Sequence, residues 1–228
     1  KNIKNFVKED TVILSLLNGV TSEDIIADVY GKDKMLYSYF IGHSSVRCGN
    51  SVTHDDVNTI VFGAENNLSE NVVAVKNFFD KVGINYKIPD DIKRSMWLKF
   101  MLNVSANQPT AILRMTFGDM FENTHFMKFA ENIMREVQSV AKAEGVLNTE
   151  TMVDEALKHL KTMTPDGKTS MLQDVEAGRK TEVDMFAGTV IELGKKHGIS
   201  TPYNKILREM IGIIEEHQDI HRQEVVRV

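Results

Sequence analysis

Cysteine is almost absent: the 228 residues hold one, Cys48. No internal disulfide can form, and no Cys/His spacing around it suggests zinc. A lone thiol is in keeping with a reducing compartment, and a cytoplasmic protein is expected. No apolar run approaches the roughly 18 residues of a membrane-spanning helix, so no membrane partner is expected, and no signal-peptide pattern opens these residues. Blocks of like charge are missing too. Lys and Arg number 27 against 32 Asp and Glu, for a net charge of −5. That removes the basic surface a nucleic-acid partner would need. The histidines show no metal-ligand spacing with Cys, Asp or Glu, so no metal is expected. His54-Asp55-Asp56 reads as a polar loop, and Ser44-Ser45 lacks the G-x-S-x-G context of a nucleophile elbow. The glycine-rich G-x-G-x-x-G turn that cradles a dinucleotide pyrophosphate occurs nowhere in the chain.

With 42% hydrophobic and 26% charged residues, the chain has the composition of a globular protein, long enough to bury a sizeable core in more than one unit. The first ~90 residues alternate strand and helix signals. Val12 to Leu17, V-I-L-S-L-L, is a short apolar run ending in Asn18-Gly19, which predicts a central parallel strand buried on both faces and then a tight turn. A helix follows Thr21-Ser22-Glu23-Asp24 and ends at Gly31. Met35 to Ile41 and Thr59 to Gly63 predict further strands. Between them the polar stretch His43 to Asp56, with Gly49 and Asn50, reads as a strand extension plus turn. Asn71 to Val82 has apolar residues at helical spacing with Gly83 placed to end it, and Ile84 to Ile88 predicts a last strand stopped by Pro89. From Asp90 the signals are helical only. Asp90-Asp91 cap a helix running up to Pro109. Thr124 to Ala143, Thr149 to Leu160, two helices around Gly178 and a last one from about Tyr203 to His217 follow. The fold class expected is an α/β, partial Rossmann-type domain over residues 1–89, followed by an all-α C-terminal domain over residues 90–228. The abrupt opening at Lys1 suggests that a segment precedes it, since a half sheet would leave an unpaired edge near Val12 to Leu17.

Two stretches carry candidate chemistry. Ser170 to Asp184, S-M-L-Q-D-V-E-A-G-R-K-T-E-V-D, has capping-box spacing at Ser170/Gln173 and again at Thr181/Asp184, with Gly178 between them. It reads either as two caps and a turn or as a pair of helix N-termini able to hold an anion. Lys99, Asn103 and Asn107 fall at i, i+4 and i+8, drifting about 40° per step, and so share one helix face. That stripe fits a solvated face. Equally, among Trp97, Phe100, Met101, Leu102 and Val104, it fits polar groups that must meet partners or a ligand. A Lys in a cleft, its proton affinity tuned by burial and a carboxylate such as Glu182, can protonate a carbonyl oxygen during hydride delivery. Asn18 stands where open α/β sheets bind ligands, although Asn-Gly is also a common turn.

Taken in order, L-L-N-G-V (Leu16 to Val20), W-L-K-F-M-L-N-V-S-A-N (Trp97 to Asn107), Ser170 to Asp184, and H-G-I-S-T-P-Y-N (His197 to Asn204) resemble the ketopantoate reductase family. The resemblance covers nearly the whole chain. It implies NADPH-dependent reduction of 2-dehydropantoate to (R)-pantoate, on the way to pantothenate and coenzyme A, in a cleft between a Rossmann domain and a helical domain. By position it implies that Lys99 is the general acid and that Asn103, Asn107, Ser170 and Glu182 bind substrate. It also implies that Asn18 and Glu182 lie at the cofactor. The family's N-terminal glycine-rich part has no match here, so the 228 residues alone are expected to bind NADPH poorly. Two alternatives stay open: a reductase of another small 2-oxo acid, and a non-catalytic helical assembly module, with a second copy of the chain as partner.

Overall fold

The structure is a computed structural model and describes residues 3–42, 46–48, 50–53 and 58–226. His43, Ser44, Ser45, Gly49, His54, Asp55 and Asp56, named above, lie outside the described residues. The chain divides into two compact units, Lys1–Met96 and Trp97–Val228.

In the first unit the elements are β1 (Ile13–Leu14), α1 (Ser22–Tyr30), β2 (Met35–Gly42), β3 (Val46–Cys48), β4 (Ser51–Thr53), β5 (Asn58–Gly63), α2 (Glu70–Val82) and β6 (Tyr86–Lys87). A four-stranded sheet has the order β1-β2-β5-β6, and β3 with β4 forms a separate two-stranded ribbon. β1 runs parallel to β2 in the register Leu14↔Leu36, β2 runs antiparallel to β5, and β5 runs parallel to β6. Leu36, Phe62, Val72 and Phe79 form the core on one side, with Val12, Leu14, Ile60 and Tyr86 packed against it. The Phe62 and Phe79 rings meet edge to face, 5.4 Å between centroids, a geometry that adds about 0.5–1.5 kcal/mol beyond the area buried. A second cluster joins Tyr39 and Val61 to Ile92 and Met96.

Val12 to Leu17 does not form the doubly buried central strand its composition predicts. Only Ile13–Leu14 are in the ladder, both half-buried, and Leu17 is 61% exposed. Ser15 ends the strand. Its carbonyl accepts from Ser38 Oγ at 2.9 Å in place of a ladder N–H, and its hydroxyl pairs with Ser22 Oγ at 2.8 Å. Those two side-chain bonds turn the chain toward α1, so Leu16 and Leu17 leave the sheet. Gly19, with φ 107°, then takes a backbone conformation that L side chains rarely adopt.

Beyond Lys87 the described residues are helical or irregular. α3 (Ile92–Leu113) is capped by Asp91, whose carboxylate accepts from Arg94 N at 2.9 Å. Its first residues belong to the first unit and the rest to the second. Then come α4 (Phe117–Glu122), α5 (Thr124–Ala143), α6 (Met152–Leu160), α7 (Ser170–Glu176), a π-helical turn (Asp184–Gly188), α8 (Thr189–His197) and α9 (Pro202–Val226). The central helix is α5. Ala130, Ile133, Met134, Val137, Val140 and Ala141 along it are fully buried. At about 1.5–3 kcal/mol for each large side chain, that stripe is a leading source of the unit's stability. None of the helices among the described residues is long and apolar enough to cross a membrane.

Three helix limits differ from expectation. α3 does not stop at Pro109 but runs through it. The proline removes the N–H that would bond to Ser105, and Thr110 reinforces the turn by donating its hydroxyl to Ala106 O at 2.7 Å. α4, too short to show a period, is set by a capping box in which Thr116 and Asp119 bond reciprocally. α9 extends well past His217. Its start is held by Glu136 of α5, whose carboxylate accepts from Tyr203 N at 2.8 Å, Asn204 N at 3.1 Å and Asn204 Nδ2 at 2.7 Å. The fold is thus an α/β unit followed by an all-helical one.

Candidate active site

The polar stripe of α3 is not a solvated face. Lys99 and Asn103 are half-buried and Asn107 is 8% exposed, while Phe100, Met101 and Val104 beside them are buried. The helix is therefore apolar nearly all round, and its polar stripe lies within protein. Phe100 meets Trp97 edge to face at 5.5 Å and packs against Phe186 of the π-helical turn at 6.4 Å. The second contact brings the segment that carries Glu182 against α3.

Glu182 is fixed from both sides. On one side the backbone N–H and the hydroxyl of Thr181 both donate to Glu215 of α9, each at 2.7 Å. On the other, Glu182 O accepts from Met185 N and Phe186 N, which starts the π-helical turn. The turn closes with Thr189 N–H reaching back to Asp184 O. The capping box expected at Thr181/Asp184 is not made. Thr181 Oγ1 accepts from Val183 N at 3.3 Å, and Asp184 pairs with Arg208 at 2.8 Å.

Lys99 and Glu182 sense each other. Burial lowers the Lys99 pKa from the usual 10.5 to about 8, and the negative charge of Glu182 opposes that fall. The result is an ammonium still mostly protonated at neutral pH and ready to give its proton up. A proton donor works best when its pKa lies near the working pH.

Ser170 lies at the start of α7, one residue inside the expected cap. The cap is Thr169, whose Oγ1 accepts from Leu172 N at 3.2 Å. Gln173 does reach back, but its Nε2 donates to Lys168 O at 3.3 Å. Thr169 takes the cap because it keeps the extended backbone, with ψ 154°, and its β-branched side chain is buried. Ser170 is left exposed with its hydroxyl free to turn outward. Gly178, with φ 63°, ends α7 as expected, and Arg179 N bonds to Asp174 O at 2.8 Å across it.

Asn107 Nδ2 donates to Ser170 Oγ at 3.4 Å, so α3 and α7 meet at two of the predicted positions. The second unit therefore gathers the stripe into two linked pairs, Lys99 with Glu182 and Asn107 with Ser170, and Asn103 stands between them on α3. Asn18 belongs to the first unit, half-buried in the turn after β1. Two residues the sequence left unremarked also join here. Thr110 Oγ1 and Thr169 Oγ1 are 2.9 Å apart and buried. The adjacent Thr169-Ser170 pair offers two candidate caps in sequence, and Thr110 was hidden by the proline before it.

This donor set, an easily deprotonated ammonium beside a carboxylate with two carboxamides and a hydroxyl, fits the substrate end of a nicotinamide-dependent carbonyl reduction. The pyrophosphate end finds no glycine-rich turn in these 228 residues.

Comparison with known proteins agrees. A family model described as ketopantoate reductase PanE/ApbA C terminal matches residues 91–215, and one described as ketopantoate reductase PanE/ApbA matches residues 1–67. The chain is 27% identical over 220 residues to a 2-dehydropantoate 2-reductase of Aquifex aeolicus, covering 92% of this chain and 70% of that protein. It is 27% identical over 204 residues to one of Archaeoglobus fulgidus, covering 90% and 68%. Among solved structures it resembles a D-mandelate dehydrogenase with NADH and anilino(oxo)acetate, with a TM-score of 0.84, 25% identity, and 96% and 72% coverage. It also resembles 2-dehydropantoate 2-reductase from Geobacter metallireducens, with a TM-score of 0.81, 26% identity, and 92% and 70% coverage. With both family models matched in order along the two units, the chain belongs to the ketopantoate reductase family.

Proposed function

We propose that this chain reduces a small 2-oxo acid, 2-dehydropantoate first among them, with NADPH as the reductant. The observation that supports this most is Lys99, held near pKa 8 by burial and faced by Glu182 on a helix that also carries Asn103 and Asn107. When bound, the nicotinamide supplies a hydride to the carbonyl carbon. Lys99 donates its proton to the carbonyl oxygen as negative charge develops there, and then recovers a proton from solvent. Glu182 keeps Lys99 charged at neutral pH and accepts from a substrate hydroxyl. The amide N–H groups of Asn103 and Asn107 donate to substrate oxygens, and Ser170 donates to the carboxylate. Asn18 and Glu182 are the proposed contacts to the cofactor.

A second reading has its own support. The D-mandelate dehydrogenase structure, solved with NADH, matches at a TM-score of 0.84, which favours an aryl-substituted 2-oxo acid and NADH. The natural full-length protein, given NADPH or NADH with 2-dehydropantoate, an aryl 2-oxo acid or pyruvate, distinguishes them by loss of reduced-nicotinamide absorbance. Fastest turnover is expected with 2-dehydropantoate and NADPH. Absence of turnover with every acid would sink both readings.

A further inference from the structure

We infer that Thr110 and Thr169 are positioning residues, forming a hydroxyl relay that sets Asn107 and Ser170 at the spacing that binds the substrate's oxygens. This rests on the reading of those two residues as substrate contacts.

The hydrogen directions follow from the partners. Thr110 Oγ1 lies 2.7 Å from Ala106 O and 3.2 Å from Asn107 O. Both are carbonyl oxygens that can only accept, so the one hydroxyl hydrogen of Thr110 points to them. Toward Thr169, 2.9 Å away, Thr110 can then only accept. Thr169 therefore donates to Thr110, and its remaining lone pair receives Leu172 N–H at 3.2 Å. The chain runs in one direction, from the first turn of α7 through two hydroxyls into the backbone of α3, and it ends on the carbonyls of residues 106 and 107.

The relay joins the neighbours of the two site residues. Ser170 follows Thr169 directly, and Asn107 stands less than one turn before Thr110. The direct Asn107–Ser170 bond is 3.4 Å long, at the far limit of a hydrogen bond, and Ser170 is exposed. It cannot fix the spacing by itself. Thr110 and Thr169 are 0% and 4% exposed, where hydrogen bonds are stronger and the loss of one partner is costly. The rigid link is thus the buried one, and the substrate-facing link is left adaptable.

Thr110→Val and Thr169→Val keep the side-chain shape and delete the hydroxyl, whereas Thr110→Ser and Thr169→Ser keep the hydroxyl. In the natural full-length protein, Thr110→Val should raise KM for the 2-oxo acid about tenfold, the effect of losing roughly one buried hydrogen bond. KM for the nicotinamide should stay put, and Thr110→Ser should restore the wild-type value. A merely structural role would move both KM values or neither. A wild-type KM for the acid in Thr110→Val, in a protein that turns over, removes the relay while leaving the proposed function intact. Thr169→Val also loses the α7 cap, so if it fails to fold Thr110→Val decides alone. Should the wild-type protein turn over no 2-oxo acid, the proposed function falls and the side-chain amide NMR signals of Asn107 decide the relay. They shift in Thr110→Val and hold in Thr110→Ser if it positions Asn107, and hold in both if it does not.

Discussion

Replacing Lys99 by Met should make the protein more stable, and by an amount that depends on pH in a set direction. Met is unbranched, suits a helix and needs no water. Burial takes the Lys99 ammonium from 10.5 to about 8. At 1.36 kcal/mol per unit, the folded state bears a penalty of about 3 kcal/mol for keeping it charged. Solvent reaching the half-buried side chain trims this, so a gain of about 1–3 kcal/mol is expected for Lys99→Met near neutral pH. The penalty is full below the folded pKa. Between about pH 8 and the unfolded value of 10.5, the unfolded chain still binds the proton that the folded one has released. There the wild type gains stability with rising pH, by at most about 1.4 kcal/mol per unit, and Lys99→Met does not share that gain. The advantage of the variant therefore closes as pH approaches the unfolded value. Urea unfolding of both proteins across this range measures the difference directly, and other titrating groups cancel. A difference that stays constant with pH would refute a displaced Lys99. The test needs neither substrate nor cofactor.

Glu182→Gln removes the charge that supports the Lys99 proton. The Lys99 pKa should fall further, so the alkaline loss of turnover should begin about one unit lower, as for loss of a nearby opposite charge. A pH–kcat profile identical to wild type would count against the pairing. Glu136→Ala strands three donors at the start of α9, one of them the side chain of Asn204, which is fully buried. Loss of the cap together with an unpaired buried amide should cost about 3–5 kcal/mol in denaturant unfolding. Glu136→Gln should lose a large part of that as well, because its one oxygen cannot serve both sides and its NH2 then faces a donor. A cost below about 1 kcal/mol for both variants would show that α9 does not depend on the carboxylate.

The helical half of the fold was largely legible because helical periodicity accumulates over many residues. α5 spans the expected Thr124 to Ala143, and Gly178 ends α7 as its placement predicts. Short elements carry no such redundancy. Val12 to Leu17 has a strand's composition, but Ser15 spends its carbonyl on Ser38, a contact between residues far apart in the chain that no local pattern encodes. Pro109 reads as a stop because proline removes an N–H. What outweighs it is the burial of the surrounding turn and the bonds of Thr110, both of them tertiary. In the site, the stripe Lys99, Asn103, Asn107 is a matter of helical arithmetic and was readable. Whether it faced water or protein was not, since both environments give the same spacing. The one-residue error between Ser170 and Thr169 has the same origin. Either hydroxyl can cap, and burial of Thr169 against Thr110 makes the choice.

The π-helical turn at Asp184–Gly188 has a consequence of a different kind. Such a turn holds one residue more than an α-helical turn. Deleting a single residue from it would let the segment close as α-helix while rotating everything before it by about 100° relative to α8. Glu182 would then swing away from α3 with its chemistry unchanged. The carboxylate beside Lys99 is held in place by a count of residues, so an insertion or deletion in this turn would alter the site more than most point substitutions elsewhere on the helix.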